Sequence, residues 1–447
     1  MLFAGMSSHK ITSLHVHWRA LEYLELPDAL PERGSGGRRP PHPFVCDSVF
    51  NGQRVSQRAL APSIECDGLE IMIGAYQDTG DPFAAARDAR ELRDAHVAFT
   101  EAFEVGSGKR WAYRNSANTT GWRLMHGAWS HGRRKAQLPD LYENPQPKLD
   151  GIPDGAQVEQ VYGGKWARKR YEGVEEHEYE WMLRNVLAWD VNGQRLAACA
   201  GLPCGVGGLT EIVRDEGAQQ WKAPGYHLVT KIEHPFEGLI PHLMEPGWHT
   251  TPMLSMAAYL KIPFEAKRSW IWTEHVPYLT PYYEKMRDAR RLLQQGIIHG
   301  TPGARIALQA LKDCYLQPLG RLRSQKTLAS EPQYYRPHWY DSVIGQEVAR
   351  EYYRLHQLAQ MRVPVLAVYF DTIIIESDSQ DLFDGAPAPI EVSNQLGKYK
   401  PVGHLDTPTA RRLLYPSPAI EQKHPETRGR AHDVGALIRA LKAAGNG

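Results

Sequence analysis

Two apolar runs, each interrupted by a lone aspartate, constrain this chain more than any other feature. The first is VLAWDVNGQRLAAC (186–199), where Asp190 ends the hydrophobic stretch; the second is VLAVYFDTIIIESD (365–378), where Asp371 separates two apolar segments. Short runs rich in Val, Ile and aromatic residues read as buried strands. A carboxylate beside such strands needs a cation or a base, because an unpaired buried charge is costly. Asn192-Gly193 fits two local structures. One is a β-hairpin on an Asn-Gly turn, with Asp190 an exposed strand residue. The other is strand, carboxylate, tight turn and helix, with Gly193 letting the backbone N–H groups approach a phosphate. The Asp371-Thr372 junction reads as a hairpin tip, and its aspartate is either an ordinary turn residue or a second acid of one site. Two such carboxylates can hold divalent cations for phosphoryl transfer.

A basic helical hairpin is expected between the two runs. Its first helix starts at Thr280-Pro281 and ends at Gly296; its second spans 303–317 and is stopped by Pro318 and Gly320. Gly300, Pro302 and Gly303 suit a sharp reversal, and the short connection favours antiparallel packing. A long helix around 340–360 leads into the second apolar run, and a short one is expected over 432–445. Residues 26–44 and 138–157 are rich in Pro, Gly and charged residues, a loop and a domain boundary. Between them, a strand is expected over 69–76 and a helix over 82–104, so the N-terminal region is mixed α and β. Asp67 and Glu70 form no Asp-x-Glu pattern there, and His15 and His17 read as ordinary histidines.

The 447 residues allow two or three domains, and 42% hydrophobic with 23% charged residues suits a globular protein with a sizeable core. No apolar run approaches the ~20 residues that span a bilayer, and the opening residues lack a secretory pattern. Cys46, Cys66, Cys199, Cys204 and Cys314 are irregularly spaced without a CxxC pair, which argues against structural zinc or a disulfide framework and fits a reducing cytoplasm. Net charge is only +1. The basic residues nevertheless cluster: Lys165, Arg168, Lys169 and Arg170; then Lys285, Arg287, Arg290 and Arg291; then Arg321, Arg323 and Lys326. Such clusters are solvated surface or contacts to a phosphate backbone.

Five segments in one order carry a resemblance. VYGGKW (161–166) resembles a Gly-Gly motif, DVNGQRLAA a first palm motif, LKDCYLQPLG (311–320) a fingers motif with a lysine eight residues before a glycine, YFDTII a second palm motif, and LGKYKPVG (396–403) the segment leading to a thumb. Over roughly 158–405 the chain resembles family B DNA polymerases, particularly protein-primed-like members. TTPMLSMAAYLKIP (250–263) and YLTPYYEKMRDAR (278–290) are similar to polymerase-like telomere-associated replication proteins of linear bacterial replicons. The resemblance implies an α+β fold: a palm with an antiparallel sheet (151–278 and 323–405), helical-hairpin fingers (279–322), a reduced thumb or C-terminal helices (406–447), and a degenerate exonuclease-like N-terminal domain (1–150).

It implies Mg²⁺ or Mn²⁺ at Asp190 and Asp371, and nucleotide contacts from Gly193, Lys312, Arg290, Arg291 and Lys285. It implies DNA contacts from Tyr162, Gly163, Gly164, Lys165, Lys398 and Lys400. The partners would be primer–template or single-stranded-end DNA, with a terminal protein or replisome component, and no membrane. The activity would be metal-dependent nucleotidyl transfer on a DNA template; the alternative is an inactive, DNA-binding replication factor that recruits a terminal protein or polymerase. Four positions depart from the family pattern, and the first three favour the alternative. The second aspartate of the second palm motif is Ile373, the ribose-screening tyrosine is Arg195, the fingers asparagine is Leu316, and the Gly-Gly motif tyrosine is Val161, with Tyr162 displaced by one. Strand alternation also puts Glu376 on the opposite face from Asp371, so it is a poor substitute for the missing acid.

Overall fold

The computed structural model describes residues 184–213, 223–236, 239–241, 244–414 and 434–445, together with the segments 13–17, 49–50, 53–57, 63–66, 69–74, 82–86, 89–104, 117–136 and 165–167. The loops expected at 26–44 and 138–157, and Tyr162, Gly163 and Gly164, lie outside the described residues. The chain forms two compact units, residues 1–131 with 284–319 and residues 132–283 with 320–447.

In the first unit, β1 (Ser13–His17), β2 (Val49–Phe50), β3 (Gln53–Gln57), β4 (Ser63–Cys66) and β5 (Leu69–Gly74) form a sheet in the order β1-β5-β4-β3-β2. β1 runs parallel to β5 and the other pairs are antiparallel. The helix expected over 82–104 is divided into a 3₁₀ turn, Pro82–Ala85, and α1 (Ala89–Glu104). Packing explains the break: Phe83 stacks on His96 at 4.1 Å and meets Phe99 edge-on at 6.3 Å, so the chain must double back before the helix starts. Ala95, Ala98, Phe99, Ala102 and Phe103 bury one stripe of α1 at helical spacing. α2 (Ala117–Ala136) follows.

The next elements along the chain are β6 (Lys165–Ala167), β7 (Asn185–Val191), α3 (Gln194–Ala198), β8 (Cys204–Val213), β9 (Gly225–Ile232), β10 (Gly247–Thr250), α4 (Thr251–Tyr259) and β11 (Phe264–Val276). Then come α5 (Thr280–Ile298), α6 (Ala304–Arg321), α7 (Gln325–Ser330) and α8 (Pro337–Gln360). β12 (Val365–Tyr369), β13 (Thr372–Ser377), β14 (Tyr399–Asp406), α9 (Thr407–Leu414) and α10 (Val434–Gly445) complete the chain. Two antiparallel sheets carry the second unit, ordered β10-β9-β11-β8 and β14-β7-β13-β12-β6.

On the five-stranded sheet, Val186, Ala188, Leu366, Ala367 and Ile374 are buried with Ala410, Leu414, Val434, Leu437, Ile438 and Leu441 of α9 and α10. The C-terminal helices thus build directly on the sheet, because their apolar stripes complete its core. Helices α4 and α8 end on left-handed residues, Lys261 and Arg362, both at φ 57°. The paired bonds Ile262 N–H to Ala257 O (2.9 Å) and Val363 N–H to Leu358 O (2.9 Å) close each end in the position glycine usually takes.

Pro318 does not end the second hairpin helix as expected; α6 continues to Arg321. Proline lacks the N–H that would reach the Cys314 carbonyl. Within the first unit Gly121 of α2 packs onto that carbonyl, and a Cβ at position 121 would stand 1.9 Å from the oxygen. The expected hairpin is otherwise present, its first helix running two residues past Gly296 to Ile298. Among the described residues no helix is long and apolar enough to cross a membrane.

Candidate carboxylate site

β7 runs between β13 and β14, and this register assembles the site. Asp190 stands opposite Thr372 on one side and Lys400 on the other. The Thr372 hydroxyl donates to Asp190 Oδ1 at 3.1 Å, and the Lys400 ammonium forms an ion pair with Oδ2. Asp371 occupies the two-residue turn between β12 and β13, where its carbonyl accepts from the Val191 N–H at 3.2 Å. Its carboxyl is close enough to that of Asp190 for the Asp190 charge to act on it. The preceding residue, Phe370, has φ 52°, a left-handed conformation unusual for a bulky side chain. The turn that presents Asp371 is therefore strained, as backbone at functional positions often is.

A buried carboxyl beside a second acid is ionised less readily than one in water. Burial and the Asp190 charge together push Asp371 up to about 8. A third acid contributes to the same field. Glu351 of α8 is fully buried; its Oε2 accepts from the Tyr399 hydroxyl at 3.4 Å and lies 3.9 Å from Arg354. Its other oxygen has no hydrogen-bond partner. Burial raises Glu351 to about 7 despite Arg354 and Tyr399.

The donor chemistry suits a hard divalent cation, since a proton and a lysine ammonium already offset charge that such an ion would neutralise. It suits one ion better than two. Among the described residues no three His, Cys, Asp or Glu side chains converge as a metal site. Ile373 pairs with Trp189, and both are fully buried. The Trp189 indole donates to Leu382 O at 2.8 Å, which fixes a chain segment next to that core. Glu376 is taken by Arg411, with bonds of 2.7 Å and 3.1 Å, and is not available to the pair.

The Asn192-Gly193 turn resolves as strand, turn and helix. Gly193 has φ 55°, and its carbonyl accepts from Ala197 at 2.9 Å. Asn192 is buried, donating its N–H to Lys398 O at 2.8 Å and its amide to Ser393 O at 2.8 Å. Lys398 itself forms an ion pair with Glu391. Arg195 binds the buried Glu347 of α8 at 3.2 Å.

On the hairpin, Arg290 differs from its expected role as a phosphate contact: it is buried, and it donates to the Tyr315 hydroxyl at 2.7 Å, bracing α5 against α6. Arg291 is exposed, and Lys285 and Lys312 are half-buried. Other members of the basic clusters are engaged within the fold. Arg287 pairs with Asp288 at 3.0 Å, Arg321 with Glu331 at 3.7 Å, and Arg323 lies over the Tyr340 ring. Lys165 lies in β6. Cys199, Cys204 and Cys314 are free and buried.

Sequence reasoning missed Glu347 and Glu351. Their signal was the i,i+4 spacing of two acids on a helix that is otherwise largely apolar on that face. Glu347 has a testable consequence. Burial, opposed by Arg195, raises its carboxyl from 4.5 to about 7. The folded protein therefore holds a proton that the unfolded chain has released, and this contribution to stability is lost as pH rises through about 7. Thermal melts between about pH 5 and pH 8 should fall less steeply for Glu347→Gln than for the parent. Identical slopes would contradict this assignment.

Comparison by sequence finds no matching family model and no matching curated protein. Comparison of structures finds Phi29 DNA polymerase with primer–template DNA, at 12% identity and TM-score 0.42, covering 69% of this chain and 54% of that one. The ternary complex of Phi29 DNA polymerase with primer–template and incoming nucleotide follows at 11% identity and TM-score 0.39, covering 65% and 53%. The same enzyme with single-stranded DNA superposes at 10% identity and TM-score 0.37, covering 74% and 58%. The chain thus spans little more than half the length of these structures. Superpositions this loose establish neither activity nor ligand. The described residues form an α+β protein whose second unit is built on antiparallel sheets.

Proposed function

We propose that this chain is a DNA-replication protein that performs metal-dependent nucleotidyl transfer on a DNA template, slowed by a carboxylate centre suited to a single cation. The strand register that sets Asp190 opposite Thr372, next to Asp371, carries the reading. The ordered motifs of the sequence supply its direction. A divalent cation bound there would lower the pKa of an attacking hydroxyl and offset charge on the phosphate. Asp190 and Asp371 would hold that ion, and Thr372 orients Asp190 toward it.

Gly193 would leave room for a triphosphate beside the first carboxylate. Tyr162, Gly163, Gly164, Lys165 and Lys398 would contact DNA. Lys400, about half exposed beyond its ion pair, would meet a backbone phosphate. A second reading, an inactive DNA-binding factor that recruits a terminal protein or a polymerase, is favoured by the burial of Ile373 where the resemblance expects a ligand.

Labelled-nucleotide incorporation on primed template with Mg²⁺ or Mn²⁺ separates the two. Slow incorporation by the parent, falling about 100-fold or more in Asp190→Asn and Asp371→Asn, is expected if these acids act on charge in the transition state. No incorporation by the parent, with salt-sensitive DNA binding that needs no metal, would leave the second reading.

A further inference from the structure

A cavity of about 530 Å³ opens along α8. Arg350, Arg354, Gln357 and Gln360 line it from successive turns of α8, with Tyr353 and Met361 beside them; Met256 of α4 and the segment Ala388–Pro389 close other sides. Residues spaced 3 and 4 apart share a helix face, so the four donors form one polar strip. Met256, Ala388 and Pro389 supply apolar lining across from it, and Glu391 also reaches the cavity. That division suits a ligand with a phosphate at one end and a flat or apolar body at the other, and the volume is that of a small-molecule pocket.

The charge arrangement points to an anion. Arg354 donates to Gly397 O at 2.8 Å and lies over the Tyr399 ring, which fixes its plane. Its Nη1 has no hydrogen-bond partner. Arg350 stands one helical turn before Arg354, and burial, with the Arg354 charge adding to it, lowers its pKa. Two guanidiniums held together against their repulsion gain when an anion enters between them. Three acids face the pair. Glu391 lines the rim but is already bound by Lys398, Glu347 is bound by Arg195, and Glu351 lies 3.9 Å from Arg354 Nη1. None of them makes a hydrogen bond to either arginine among those described.

We propose that this cavity binds a phosphorylated small molecule of nucleotide size. Arg350 and Arg354 clasp the phosphate, Gln357 and Gln360 supply amide donors, and Met256, Met361 and Pro389 cover the apolar body. This binding does not require catalysis at the carboxylate pair.

Isothermal titration of the full chain with adenosine monophosphate, pyrophosphate and inorganic phosphate tests it. Saturable binding of the nucleotide is expected, tighter than that of inorganic phosphate. Arg350→Gln and Arg354→Gln should each weaken it at least about tenfold, the scale of one charged hydrogen bond. Ala388→Trp, at an exposed position, should block the cavity while leaving both arginines and the melting temperature in place. Arg268→Gln, outside the cavity, should bind like the parent. The proposal is overturned if the parent shows no saturable nucleotide binding, or if Ala388→Trp and both arginine variants bind as the parent does. Binding of a short oligothymidylate at this cavity, blocked by Ala388→Trp and without any nucleotide binding, would equally overturn it in favour of a DNA strand.

Discussion

Ile373→Asp is expected to destabilise the second unit strongly rather than repair a cation site. By alignment with the second palm motif this substitution restores a missing ligand, so the resemblance alone predicts a gain in cation affinity. The packing predicts the reverse. Ile373 is fully buried and paired with fully buried Trp189, while Asp190 shares its strand face with Thr372. Losing the isoleucine leaves a cavity worth about 2–5 kcal/mol when truncated to alanine. Burying a carboxyl without a partner adds to that cost. The sum, about 4 kcal/mol or more, is at the damaging end of single substitutions. Urea denaturation of Ile373→Asp should show a strongly reduced midpoint. A folded variant with tighter Mn²⁺ binding would mean that position 373 reaches the carboxylate pair.

Lys400→Met is expected to tighten divalent-cation binding about ten- to a hundredfold at pH 9, above the Asp371 pKa of about 8. The Lys400 ammonium is ion-paired to Asp190, so an arriving dication meets a positive charge already on its ligand. Coulomb repulsion at such separations amounts to several kcal/mol at an effective dielectric near 20. Lys400 is half exposed and free to swing toward water, so only part of that is realised. The effect should shrink at about pH 6, because removing the ammonium also strengthens proton binding by the pair. Calorimetric titration at both pH values checks this. An affinity lowered at pH 9 would show that Lys400 assists the cation instead of competing with it.

The sequence reading located the strands that matter because apolar runs report burial directly: 186–191 and 365–377 became β7, β12 and β13. It placed Asp190 and Asp371 at strand ends for the same reason. It did not anticipate Lys400 on Asp190 or Glu351 beneath the pair, since those contacts arise from the pairing of β14 with β7 and the seating of α8, which are long-range. The helix ends were also hard to read. Lys261 and Arg362 take left-handed positions where glycine is the usual signal, so tertiary contacts override the local cost. Pro318 misled in the opposite sense. The helix runs through it, and Gly121 lets α2 approach the Cys314 carbonyl that the proline leaves without its usual N–H donor.

The pairing of Asp190 with Asp371 as a single-cation centre is tested most directly by Mn²⁺ titration at pH 9 and low salt, read by the loss of the free-ion electron paramagnetic resonance signal. Weak, saturable binding of one Mn²⁺ per chain in the parent, abolished in both Asp190→Asn and Asp371→Asn, is the predicted result. Equal Mn²⁺ binding by the parent and both variants, or none by the parent, would contradict it.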